Sequence, residues 1–403
     1  MGQARRPYYG WTLVVVLGAV TIVAYGASQY LFGVLVVPVG GTLGGSRAQL
    51  SIAYSAGLVI AAALGVPVGR VVDRHGARGV MMAGSAIAAA SLVALSRATD
   101  LLAFSAIWAA GVGVAMALTL YPVSFVLVAN WFVRRRGAAM ALLTVIGGFS
   151  SPIYIPLAGW LIASHGWRAA LVVLAATQLA VLPLEAVALR RRPEDHGLSP
   201  DGAPSPPPHA APTSGAALGT ALRRPAFWLL TVSGAATLLS ASALQVHQVP
   251  YMISRGTSGV VAASIAGLIG LASVPGRFLL NLLSHRVAPQ LLMAASCCSM
   301  TAGTVVLLTG RAVPAFVAYA VVYGLGFGSV NPLRASAMAD HFGRREFGAI
   351  TATQNVGVTL CSALGPLLAG RLYDVAHDYR TALLVLAAVT ALAAVSAIVT
   401  PRP

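Results

Sequence analysis

Residues 69–78 read Gly69-Arg-Val-Val-Asp73-Arg74-His-Gly76-Ala-Arg78; they close one long apolar run, 48–72, and open the next, 77–96. Two glycines and four charged side chains in so short a stretch make a tight polar turn. Each flanking run reaches the ~20 residues that an α-helix needs to cross a bilayer. Two apolar runs joined by a short charged turn form a membrane hairpin. At such a helix end, Asp73 can meet an arginine or the N-terminus of a neighbouring helix. Gly69, Asp73, Arg74, Gly76 and Arg78 are therefore candidates for a conformational latch, against the plainer reading of an ordinary surface turn.

The same alternation continues in both directions. Of 403 residues, 58% are hydrophobic and only 9% charged, against about 25% charged in soluble domains. Breaks divide the chain into twelve predicted spans, near 11–37, 48–72, 77–96, 101–129, 138–163, 167–188, 225–250, 259–284, 289–309, 312–339, 346–372 and 379–399. The first run is too long for the apolar core of a removable signal peptide and lacks a small-residue cleavage site, so it reads as a span. Between the sixth and seventh spans, 190–224 contains Pro200-Asp-Gly-Ala-Pro-Ser-Pro-Pro-Pro, too polar and proline-rich to pack a core. The expected organisation is a six-helix bundle over 1–189, a flexible cytoplasmic linker over 190–224, and a second six-helix bundle over 225–403.

The net charge of +16 comes from 26 basic residues, every one of them arginine. They sit in short clusters between apolar runs rather than on one exposed face, which argues against a nucleic-acid partner. With the N-terminus placed inside, alternate loops and tails on that side hold seventeen arginines and the opposite side seven, with Arg277 and Arg334 inside spans. Positive loops face the cytoplasm, so both termini are expected there, in a multi-pass protein of the cytoplasmic (inner) membrane. Cys297, Cys298 and Cys361 fall inside apolar runs without ligand spacing, implying neither disulfide nor metal. No cofactor motif, serine–histidine pair or paired aspartates are placed for intramembrane catalysis, so an enzyme is not expected.

The halves resemble each other at an offset near 210. Tyr121-Pro122 matches Asn331-Pro332, Phe132 with Arg134-Arg-Arg-Gly137 matches Phe342 with Arg344-Arg-Glu-Phe-Gly348, and Pro156-Leu-Ala-Gly159 matches Pro366-Leu-Leu-Ala-Gly370. Arg168-Ala-Ala-Leu-Val-Val-Leu-Ala-Ala likewise matches Arg380-Thr-Ala-Leu-Leu-Val-Leu-Ala-Ala. Parallel six-span repeats are a transporter device that places a site at the midplane between two rocking halves.

Residues 69–78 resemble the loop signature of the major facilitator superfamily, G-x-x-x-D-R-x-G-x-R, at every position. The second-half counterpart, Asn281-Leu-Leu-Ser-His285-Arg286-Val-Ala288, is degenerate, so an asymmetric latch is expected. Within the superfamily, Trp131-Phe-Val-Arg-Arg-Arg-Gly137-Ala-Ala-Met, Gly166-Trp167-Arg168 and His247-Gln-Val-Pro250-Tyr251 look like the monocarboxylate transporter family and its bacterial oxalate:formate antiporter-like relatives. That resemblance implies an all-α membrane fold of twelve helices in two pseudo-symmetric bundles. It also implies an arginine in the eighth span that binds a substrate carboxylate, and Ser273-Val-Pro-Gly-Arg277 is the matching stretch.

The residues point to Arg277 independently. It lies inside the run 259–284, about two turns from its end, with no Asp or Glu in that span to neutralise it. An arginine at such depth costs at least ~2.5–3.5 kcal/mol unless it faces a polar cavity, and its planar fork matches a carboxylate. The competing reading pairs it structurally with another helix. Tyr121, Asn331, Ser273, and Tyr25, Ser28 and Gln29 of the first span are further candidate ligands; Gln245 and Asn355 are weaker ones. His247 is the histidine deep enough to titrate within the membrane, and is a candidate both for substrate contact and for proton coupling. Relatives of the oxalate type carry a lysine in the eleventh span, whereas Thr351-Ala-Thr353-Gln354-Asn355 is uncharged here. One deep cation suits one carboxylate, although Arg334 complicates that count.

The expected function is alternating-access transport of small organic monocarboxylates of the lactate and pyruvate kind by a monomer in the lipid bilayer, coupled to a proton. The acidic residue that many relatives carry four positions before the eighth-span arginine is Ser273 here, which leaves coupling to His247 or to the substrate's own carboxyl. The rival readings are an efflux carrier for drugs or other metabolites, and an organic-anion exchanger.

Overall fold

The computed structural model describes residues 8–202, 215–283, 286–343 and 346–401. Arg5, Arg6, His285, Arg344, Arg345, Arg402 and most of the proline-rich run lie outside them. Eleven helices among the described residues are long and apolar enough to cross a membrane. One of them, Arg136–Ala188, is 53 residues long and is two spans joined at Gly166, whose φ of 79° and ψ of 161° break the helix. The order is α1 Tyr9–Leu43, α2 Arg47–His75, α3 Ala77–Ser96, α4 Leu101–Trp131, α5 136–165 and α6 167–188. The second half runs α7 Pro225–Ser254, α8 Gly259–Leu283, α9 Pro289–Thr309, α10 Val313–Phe342, α11 Phe347–Ala376 and α12 Arg380–Ile398.

Several spans are interrupted, and the interruptions recur in both halves. In α4 the helix breaks at Leu120 (ψ 176°), and Tyr121-Pro122 opens the next helical segment. In α10 the break falls at Gly328-Ser329, and Asn331-Pro332 follows. A proline at the start of a helical segment costs little, because that N–H has no intrahelical partner in any case. α1 carries a π-turn over Gly26–Tyr30, and α5 an irregular turn at Gly148-Phe149. Irregular backbone at membrane depth survives only where protein or a cavity satisfies the freed polar groups.

Cross-half packing pairs α5 with α8, α2 with α11, and α1 with α7. The named contacts run from Asp374 on the N-terminus of α2 to Arg277 on Thr144 of α5. At the end carrying residues 69–78, α4 has no comparable packing against α10 or α11, so the bundle opens toward that end.

The linker's described ends are docked, whereas composition predicts a free segment. Trp131 Nε1 donates to the Arg190 carbonyl at 2.9 Å, and the Asp201 carboxylate accepts from the N–H groups of Val133, Arg134 and Arg135. At the other end, Leu218 N–H donates to Glu346 Oε2 at 2.7 Å. The linker thus ties to the 4–5 loop of one half and the 10–11 loop of the other.

Candidate functional site

A cavity of about 50 Å³ lies between the halves. The first half contributes Tyr30, Gly148, Ser151 and Ile155; the second contributes Gln245, Gln248, Ser273, Arg277, Tyr319 and Tyr323 among others. The backbone interruptions explain the geometry. The π-turn of α1 carries Tyr30, and the irregular turn of α5 brings Gly148 to the wall.

Arg277 is partly buried, and its guanidinium is held by two main-chain carbonyls. Nε donates to the Gly328 carbonyl at 3.0 Å, and Nη1 to the Thr144 carbonyl at 2.9 Å. The first acceptor lies at the break in α10, where carbonyls lose helical partners. The second belongs to the other half and also accepts from the Gly148 N–H. Among the described residues no carboxylate pairs with Arg277. Among the described residues its positive charge therefore meets only neutral dipoles, beside a cavity whose wall mixes apolar side chains with tyrosine, serine and glutamine, an arrangement that favours an anion.

The other sequence-predicted residues divide into three groups. Ser273 lines the cavity, but its hydroxyl donates back to the Gly270 carbonyl at 2.7 Å. Gln29 sits in a network that crosses the halves: Tyr54 donates to its side-chain oxygen at 2.5 Å and Gln245 to its backbone oxygen at 2.8 Å. Ser28 is buried, with its hydroxyl on the Ala24 carbonyl. Tyr25 packs on Tyr121 with ring centroids 4.8 Å apart, and Tyr121 stacks on Phe125. Asn331 and Asn355 are exposed on the open side, where Asn355 accepts from Arg334 Nη2 at 2.9 Å.

His247 lies apart from the cavity, buried in the closed seam. Nε2 is 2.9 Å from the Pro366 carbonyl and 3.1 Å from Ser51 Oγ, and Nδ1 is 3.3 Å from the Tyr379 hydroxyl. A carbonyl can only accept, and Ser51 already donates to the Arg47 carbonyl. The network therefore assigns the proton to Nε2 and makes Nδ1 the acceptor from Tyr379.

At the loop signature, Gly76 takes φ 85° to make the turn, and Arg191 Nη2 donates to the Asp73 carbonyl at 3.2 Å. Asp73, Arg74 and Arg78 are exposed, and no partner of the Asp73 carboxylate stands among the described residues. Glu185, which the sequence puts near a helix end, is fully buried and accepts from Ser85 at 2.8 Å between α3 and α6, away from the cavity.

Sequence reasoning passed over Tyr30, Gln248, Tyr319 and Tyr323. Tyr319 donates to Gln248 Oε1 at 2.8 Å. With Phe327, the two α10 tyrosines repeat every four residues, a stripe that reads as helix packing. Tyr30 adjoins Gln29, but only the π-turn turns it to the cavity. Gln248 stands three residues after Gln245, and that i, i+3 spacing was the available signal.

Comparison with known proteins agrees with this architecture. The family model described as Major Facilitator Superfamily matches residues 17–314 and 305–403. Monocarboxylate transporter 13 of Bos taurus is 26% identical over 95% of this chain and 88% of its own length. Monocarboxylate transporter 11 of Homo sapiens is 29% identical over 79% and 68%. An MFS-type efflux pump of Mycolicibacterium smegmatis is 28% identical over 70% and 64%. Among solved structures, a bacterial homologue of the human lysosomal transporter Spinster, inward-facing and occupied, superposes with a TM-score of 0.75 at 15% identity, covering 99% of this chain and 97% of that one. A variant of the nucleoside transporter NupG gives 0.75 at 14%, covering 97% and 100%. With twelve spans in two bundles around a central cavity, and a family model that matches nearly its whole length, the chain belongs to the Major Facilitator Superfamily of membrane transporters.

Proposed function

We propose that this transporter moves small organic monocarboxylates of the lactate and pyruvate kind by alternating access, as a proton-coupled monomer in the cytoplasmic membrane with both termini inside. The observation that carries the reading is Arg277. It stands at the cavity with no acidic partner among the described residues, held by carbonyls from both halves. A carboxylate offers a stronger, bidentate acceptor than either carbonyl. Its arrival would draw the guanidinium off Thr144 and so change the contact between the bundles. The relatives named monocarboxylate transporters support the substrate class.

In this reading the open end is cytoplasmic, and the bundles over 1–189 and 225–403 rock about the site. The Asp73 carboxylate has no partner among the described residues because its latch engages only when that end closes. His247 couples the proton from the seam rather than from the substrate: protonation at Nδ1 reverses its hydrogen bond with the Tyr379 hydroxyl and puts a charge in the buried seam, which loosens α7 against the start of α12. The efflux reading is favoured by one observation, the similarity to a bacterial efflux pump.

Uptake of radiolabelled lactate into proteoliposomes, with and without an inward proton gradient, tests the reading. Gradient-driven uptake that Arg277→Gln abolishes is the expected result. Silence of the wild type toward lactate, pyruvate and other monocarboxylates would transfer the assignment to efflux.

A further inference from the structure

Arg334 is a second arginine well inside a membrane helix, and the cavity around Arg277 does not include it. It stands six residues beyond Gly328 on α10, about 9 Å further toward the open end at 1.5 Å per residue. Gly234 on α7 makes room for it: a Cβ there would lie 2.8 Å from Arg334 Cδ. Nη2 donates to Asn355 Oδ1 on α11 at 2.9 Å, and Nη1 is buried with no hydrogen-bond partner among the described residues. No carboxylate among them forms an ion pair with it; Asp340, six residues on, is exposed.

Asn331 precedes Arg334 by three residues and so neighbours it on the helix surface. Asn331 and Asn355 are both exposed. Amide side chains on membrane helices are costly against lipid, so this exposure belongs to the water-filled opening between the halves. Asn355 Oδ1 accepts from Arg334, and its NH₂ group has no hydrogen-bond partner among the described residues. A cation without an acidic partner among the described residues, the amide bonded to it and a second amide one helical turn away thus share this stretch of the opening.

We propose that Arg334, Asn331 and Asn355 form a second anion-binding station, which holds one small carboxylate between the open end and Arg277. The proposal rests on the anion-carrier reading above, and its test is arranged to stand apart from it. The station explains how one deep arginine can exchange its ligand with water: the anion is held in two successive places rather than released in one step.

The experiment uses the full-length protein with Cys297, Cys298 and Cys361 replaced and one reporter, Ala335→Cys, on the exposed face beside Arg334. Labelling rates are compared for a sulfonate-bearing and a trimethylammonium-bearing methanethiosulfonate reagent. The anionic reagent should be favoured, by a ratio that falls about threefold or more in Arg334→Gln and returns in Arg334→Lys. Excess sodium acetate should slow labelling with Arg334 present and not in Arg334→Gln, relative to equal sodium chloride. A ratio unchanged in Arg334→Gln, or equal acetate protection in both, overturns the station. These readouts decide the matter whether or not lactate is carried; absent lactate uptake by the wild type would count against the monocarboxylate reading alone.

Discussion

Asp374 of α11 caps the first turn of α2 from the other half of the molecule, accepting from the N–H groups of Arg47 at 2.9 Å and Ala48 at 3.0 Å. Ser46 and Gln49 close the remaining donors of that turn through a capping box, so the N-terminus of α2 is satisfied only while the halves meet here. Gly370 permits the approach, since a Cβ there would come within 2.8 Å of the Ala48 nitrogen.

Removing that cap should favour the state in which this end opens. Hydrogen bonds to a charged group contribute about 1.5–3 kcal/mol, so Asp374→Ala is expected to shift the equilibrium at least tenfold. Spin labels at Gly41→Cys and Val375→Cys would report longer distances. An unchanged distribution would show that the seam closes without the cap.

Under the proposed coupling, replacing His247 should flatten the pH response of uptake. His247→Gln retains a donor for the Pro366 carbonyl but cannot gain a proton in the physiological range. Lactate uptake by that variant should respond less to external acidity than that of the wild type, which rises as pH falls. Parallel profiles would place coupling on the substrate's own carboxyl.

Close helix contact makes Gly276 intolerant of a methyl group. A Cβ on Gly276 would lie 2.1 Å from the Leu325 carbonyl oxygen, a backbone atom that cannot swing aside. Overpacking costs about 1–3 kcal/mol, so Gly276→Ala should lower the melting temperature by several degrees. Gly137→Ala, where nothing lies within 4 Å, is the control and should not. Equal melting curves for both variants would mean that α8 and α10 separate cheaply.

Docking of the linker should weaken in acid. Partial burial opposes ionisation of Asp201, but the N–H groups of Arg134, Val133 and Arg135 and the Arg135 charge prevail and hold its carboxyl below the ordinary value of 3.8. A depressed value means that the stabilisation is complete above that value and is lost as pH falls through the folded one. Amide exchange at 133–135, corrected for intrinsic rates, should therefore accelerate below about pH 4. Asp201→Ala should show the acceleration, roughly tenfold, already at pH 7; protection that survives in that variant would assign the docking to Trp131 and Arg190.

Much of this molecule was legible in one dimension. Long apolar runs cannot leave backbone polar groups unpaired in lipid, so their lengths dictated helical spans. The turn at 69–78 and the repeated Tyr121-Pro122 and Asn331-Pro332 fixed the superfamily's pattern. Arg277 announced itself because a lone cation at membrane depth needs an explanation. Tertiary structure decided what those rules do not reach. His247 and Arg277 both read as deep polar residues, yet one lies in the seam and the other at the cavity. Their positions depend on how two bundles pack, which no helical period encodes. Tyr30, Tyr319 and Tyr323 carry no sequence signal of a site, because a tyrosine's ring fills a helix contact equally well whether its hydroxyl meets protein or a cavity. The π-turn of α1, packed against Tyr154 of its own half, carries Tyr30 to the cavity, whereas Tyr319 and Tyr323 reach it from the regular helical segment before the break in α10, through the way that helix packs.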